Sequence, residues 1–178
     1  MPSMTPFHGT KKLEKTIRKV VRPALPDGNP GPLGKWNAAL FYVDRKKCWL
    51  VTNARTKYSV ILPDITSATL PTIDKLFRFA LGDQLLYDGF KTSLDEVENL
   101  IGQLIFLPTD NDRKTTTFQN HRLFELEFYK YRYGSLEDMP LNKLTNYMNT
   151  CPTRIGKGHS MNSYTTAIEE MNKILETL

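Results

Sequence analysis

Apolar positions along this chain follow two different periods, and the change from one to the other divides the sequence. WNAALFYVD (36–44), CWLVTN (48–53) and KYSVILP (57–63) are short runs rich in β-branched and aromatic residues. Polar turns around Arg45-Lys46-Lys47 and Asn53–Lys57 separate them, which predicts an antiparallel meander. The runs are nearly continuous in apolar residues, so at least part of this sheet should be covered on both faces. On either side the period becomes helical. Leu13, Ile17 and Val20/Val21 predict a helix over 10–22, with Thr10 as N-cap and Pro23 as its stop. ALPDGNPGPLG (24–34) reads as a loop. After Pro63, Ile73, Leu76/Phe77, Ala80/Leu81 and Leu85 predict a helix over 70–90. Ser93 and Glu96 have capping-box spacing for another over 93–104. IFLP (105–108) reads as a short strand returning to the sheet.

The later chain is less regular. FELEF followed by YKYRY alternates like a strand, but the phase slips at Phe128/Tyr129, and a slipped strand would turn its side chains to the wrong face. A helix over 112–133 is therefore expected. LNKLTNYMNT (141–150) predicts a short helix, RIGKGHS (154–160) a Gly-rich loop, and 161–178 an amphipathic terminal helix. The expected fold is α+β: an antiparallel β-meander of three to five strands flanked by helices, with a helical C-terminal extension. Residues 1–133 would form the core domain, and 134–178 would be an extension packed on it.

Composition adds limits. The chain has 178 residues, 40% hydrophobic and 24% charged, as expected for one globular domain. It has no apolar stretch long enough to span a bilayer, and its first residues lack the apolar core of a secretory signal, so a cytoplasmic location is expected. Cys48 and Cys151 lie far apart without metal-ligand spacing and are expected to be free thiols. The net charge of +5 is uneven. Residues 1–62 hold twelve Lys/Arg against three Asp/Glu, whereas 63–112 hold three against nine. Such a basic first third suits an acidic protein or a nucleic acid, although two oppositely charged regions packed side by side would give the same pattern.

The candidate chemistry centres on PTDNDRKTTTFQNHR (108–122). If a helix starts near Asp112, then Asp110, Asn111 or, best placed, Asp112 caps it, and Arg113, Thr116/Thr117 and Asn120 fall on one face. An arginine, hydroxyls and an amide beside a helix start can hold an anion. Alternatively His121 serves as general acid or base, with Arg113 stabilising phosphorane charge and Thr117 nearby, as in a metal-independent ribonuclease. Between the second and third strands, Asn53 can simply start a turn that gathers Arg55, Thr56, Lys57 and Tyr58; if that sheet edge faces the helix, Arg55 and Lys57 would join Arg113 in one basic pocket. Trp36, Trp49, Tyr42 and Tyr58 could stack bases, although large aromatics are more often core. Lys11, Lys12, Lys15, Arg18 and Lys19 line the first helix and could track phosphates, or could simply be a solvated face. The order of residues in GKGHS (156–160) excludes a P-loop. Signatures for zinc proteases, serine hydrolases and dinucleotide binding do not occur, and neither a metal nor a cofactor is expected.

Several of these stretches occur in a familiar order. Thr10, Lys12 and Leu13 form a TxKL start. Trp36, Ala38, Leu40 and Phe41 make a WxAxLF strand, followed by the pair Arg45 and Lys46. Asn53, Thr56 and Tyr58 fit a turn, and Thr109, Asn111, Asp112 and Arg113 fit a late element. Over roughly residues 7–130 the chain resembles a family of small uncharacterised bacterial proteins often met near plasmid or mobile-element genes. The resemblance implies a fold and a genetic neighbourhood rather than an activity. Where such families continue Ser-x-x-Gly after the arginine, this chain has Lys114-Thr115-Thr116-Thr117. The expectation is a non-enzymatic binding protein that engages a nucleic acid or protein through its basic surface, in toxin–antitoxin or phage-defence conflict. The alternatives are the small ribonuclease and an adaptor that oligomerises through Ile168, Met171, Leu175 and Leu178.

Overall fold

The three antiparallel strands form where the apolar runs predict them: β2 (Trp36–Val43), β3 (Lys46–Asn53) and β4 (Ser59–Leu62). The structure, a computed structural model, describes residues 3–154 and 163–178. Val43 pairs with Lys46, so only Asp44 and Arg45 form the β2–β3 turn, and both have positive φ (46° and 65°). That is the backbone of a two-residue hairpin whose twist matches the strands it joins.

The sheet is larger and more mixed than a meander. A strand near the start, β1 (Met4–Gly9), runs parallel to β2 on one side. On its other side it runs parallel to β5 (Gln103–Leu107), which gives the order β4-β3-β2-β1-β5. The expected antiparallel arrangement thus holds for three of five strands. β1 escapes a pattern reading because MTPFHG is short and carries Pro6, which argues against a central strand. Pro6 is tolerated because pairing with β2 begins only at Phe7.

Helix α1 (Lys11–Ile17) starts at Thr10, whose hydroxyl accepts from Leu13 N–H, and continues as a 3₁₀ turn to Val20. Helices α2 (Ile73–Tyr87) and α3 (Leu94–Ile101) follow, the latter with the full Ser93/Glu96 capping box. Gly102 then turns the chain into β5 with φ +59°, and a Cβ there would run into the Ser3 carbonyl. Glycine is required at that point. Helix α4 spans Arg113–Tyr133 and α5 Leu141–Thr150, as expected. The terminal helix α6 (Ala167–Leu175) is shorter than 161–178, because Thr166 and Glu169 form a capping box that starts it later. Before it, β6 (Thr153–Arg154) pairs with β7 (Tyr164–Thr165). The Gly-rich stretch from 155 and the beginning of the expected helix at 161–162 lie outside the described residues.

Alternation sends the strand side chains into two clusters. Phe7, Trp36, Trp49, Val51, Leu62 and Phe106 join the buried sides of α1, α2, α3 and α6 in the larger one. Edge-to-face rings tie its centre together, Phe77 lying 5.1 Å from Trp36 and 5.5 Å from Phe7. On the other face Phe41, Val43, Cys48, Leu50 and Ile61 meet Leu126 of α4 and Leu144 and Met148 of α5.

Candidate anion-binding grooves flanking the start of α4

The start of α4 is neutralised from within. Asp112 accepts from the Thr115 N–H (3.0 Å) and the Thr115 hydroxyl (2.9 Å), the expected capping role. Lys35 Nζ lies 2.5 Å from Asp110 and 3.2 Å from Asp112, and Asn37 donates to Asp110 at 3.0 Å. Burial works against the Asp112 charge, but the Thr115 bonds and Lys35 outweigh it and lower its pKa to about 2. The end of the helix therefore already holds its carboxylate. With the Thr115 and Thr116 N–H groups taken up by Asp112, an external anion would be met mainly by side chains.

Those side chains come from three places. In the β3–β4 turn, Asn53 Oδ1 accepts from Arg55 N–H, Thr56 N–H and the Thr56 hydroxyl at 3.0–3.1 Å, while its amide donates to Leu33 O at 2.8 Å. This buried Asx turn presents Arg55 to solvent and places Lys57 at φ 63°. Lys57 Nζ reaches across to Thr115 Oγ1 (2.9 Å) and Ala54 O (2.5 Å), and burial lowers its pKa. It joins the turn to α4. The second source is the first turns of α4, and the third is Pro152–Arg154.

Together they line a groove of about 820 Å³. Arg55, Lys57, Arg113, Lys114, Arg122 and Arg154 are its cations, and Glu125 is the sole carboxylate among the described lining residues. Glu125 accepts both its bonds from Arg122 Nη1 at 2.9 Å. Arg122 is buried, its guanidinium 5.0 Å from the Phe118 ring centroid, and among the described residues its Nε has no hydrogen-bond partner. His121 and Thr117 line the same groove. A second groove of about 600 Å³ lies on the other side of the helix start, where Lys11 and Lys12 of α1 face Arg113, Thr116, Thr117 and Asn120. Arg113 and Thr117 border both grooves.

The structure thus brings Arg55, Lys57 and Arg113 together, as the sequence predicts if the turn faces the helix. It also sets Arg113, Thr116 and Asn120 side by side. Tyr58 is elsewhere. It is fully buried, its phenol donates to Asp88 at 2.5 Å, and burial and that carboxylate raise its pKa far above the usual range. Its ring is closed to any base. Trp36 and Trp49 are core, while Tyr42 is exposed beneath Lys12 Nζ, 5.1 Å from its ring centroid. Lys15, Arg18 and Lys19 are exposed but line neither groove. In α6, Met171 is buried, and Ile168 and Leu175 pack against the larger cluster, so most of the apolar row suggested for oligomerisation is engaged within the chain. Sequence reading missed Lys114 and Arg122. Arg122 shares its helical side with Thr115 and Gln119, a spacing that an apolar search skips.

Among the described residues no group of three or more His, Cys, Asp or Glu is placed to hold a metal ion, and no helix is long and apolar enough to cross a membrane. No curated protein matches the chain. The chain belongs to the family described as Domain of unknown function (DUF6933), which it matches over residues 7–170.

Proposed function

We propose that the protein is a non-enzymatic binding protein for nucleic acid, which it engages through the two basic grooves flanking the start of α4. One observation carries this reading. Cations from the β3–β4 turn, α4 and the 152–154 segment converge on a single groove whose described carboxylate is already paired with Arg122. An excess of cations over carboxylates in one groove favours a polyanion, whose counterions are released on binding. The second groove lengthens the basic surface toward Lys11 and Lys12. A role in conflict between bacteria and mobile elements is the setting that the family resemblance suggests.

The test is a titration of labelled RNA and DNA at several salt concentrations. Affinity should fall linearly with log salt, and replacing Arg55, Arg113 and Lys114 by Ala should lower the slope by about 0.7 to 0.9 for each phosphate that is no longer neutralised. Absence of binding at low salt, with binding to an acidic polypeptide instead, would sink the nucleic-acid reading in favour of a protein partner.

His121 favours a second reading, because it lines the groove beside Arg113 and Thr117. A metal-independent ribonuclease would use it as the acid or base. Glu125, one turn further on, gives both its oxygens to Arg122 rather than to His121. RNA cleavage in EDTA that His121→Ala abolishes would establish this second reading; intact RNA would end it.

A further inference from the structure

Helix α4 is inverted relative to an ordinary amphipathic helix. Three of its four buried residues, Thr115, Gln119 and Arg122, are polar, and Leu126 is the fourth. Its outward side carries Phe124, Phe128 and Tyr131, which are 81%, 66% and 90% exposed. Spaced i, i+4 and i+7, they form one row about 10 Å long. Continued toward the helix start, the same row runs through His121, Thr117 and Lys114, all exposed and all lining the larger basic groove. Rings and the Lys114 cation thus follow one line. Large aromatics left in solvent do not serve the core, and a contiguous row of them marks a surface that something covers.

Charge selects the occupant. A second copy docked symmetrically through the same row would bring a second basic groove into the interface, which like charge opposes. The ligand that fits both ends offers negative charge and flat apolar faces together, which a duplex does not, because its bases are stacked on one another. We infer that Phe124, Phe128 and Tyr131 form a stacking platform for the bases of a single-stranded nucleic acid whose backbone lies in the groove beside Lys114. The inference rests on the nucleic-acid reading above and adds the strandedness of the ligand. At about 3.4 Å per stacked nucleotide the row accommodates roughly three bases.

Fluorescence anisotropy with a short labelled mixed-sequence RNA, single-stranded and as its duplex, tests it. The expected result is that the wild-type chain prefers the single strand. The triple variant F124A/F128A/Y131A should bind the single strand about tenfold or more weakly, with its salt dependence unchanged because the rings carry no charge. The three rings are exposed, so a circular dichroism melt should show the variant folded. Single-strand affinity unchanged in the variant would overturn the platform and leave the groove reading standing. A loss that sedimentation traces to a broken dimer would overturn it too, and would assign the row to self-association. If the wild-type chain binds neither form at low salt, both readings fall.

Discussion

The two faces of the sheet draw on the same alternating strands and are closed by opposite means. On one face the strands meet α1, α2, α3 and α6 through aromatic and aliphatic side chains, with Phe7, Trp36 and Phe77 in edge-to-face contact. On the other face only the part near Phe41, Val43 and Leu50 is apolar. Toward Asn37, Thr52 and Ser59 the covering groups are polar, and Gln119 of α4 donates to Asn37 O (2.9 Å) and Leu50 O (3.1 Å). The first face holds the fold together through buried apolar area. The second accepts a weaker, hydrogen-bonded closure, and its helix thereby presents cations and rings to solvent.

Substitutions can break that contrast. Phe77→Ala should cost about 3 to 5 kcal/mol in chemical denaturation, since it removes a ring from the centre of the aromatic cluster. Gln119→Leu should cost no more than about 1 kcal/mol, because it loses two amide bonds but also removes an oxygen that is buried without a partner among the described residues. Equal losses in the two variants would mean that both faces are held alike. Asn149→Ala should fall between them, at about 1 to 3 kcal/mol. Its amide accepts from Ser59 N–H (2.8 Å) and donates to Ser59 O (3.0 Å), filling the edge of β4 as a neighbouring strand would, and it also donates to Asp88 (3.2 Å).

A comparably small effect belongs to the start of α4. The Asp112 pKa is lowered to about 2 from an ordinary value of 3.8, so its stabilising contribution is complete above about pH 4 and disappears as pH falls through about 2. Asp112→Asn keeps a capping oxygen but not the charge. It should cost about 0.5 to 1 kcal/mol at neutral pH, and the gap to wild type should close in acid melts near pH 2. A gap that persists there would show that the cap works by hydrogen bonding alone.

Legibility followed physical range. The meander was readable because β2, β3 and β4 carry nearly continuous apolar runs joined by short turns. Helix α5 was readable because its apolar spacing and its buried face coincide at Leu144 and Met148. β1 was not, since MTPFHG becomes a strand only when two distant partners flank it in parallel, and nothing local encodes those pairings. For α4 the length was legible but the facing was not. A periodicity search assumes that apolar residues point inward, and here Phe124, Phe128 and Tyr131 point outward while Gln119 and Arg122 are buried. The slip at Phe128/Tyr129 was the visible trace of that inversion.

By itself the sequence determined the elements with local causes: the meander, the caps at Thr10, Ser93 and Asp112, and the concentration of cations in the first third. Only the tertiary structure decided which cations share a surface. The Asn53 turn brings Arg55 and Lys57 beside Arg113, which lies more than fifty residues further along the chain, and it buries the adjacent Tyr58 against Asp88. Neighbours in sequence were thus sent to opposite environments by the turn, where Lys57 takes a positive φ just before β4 begins, and distant residues were brought together by packing across the sheet.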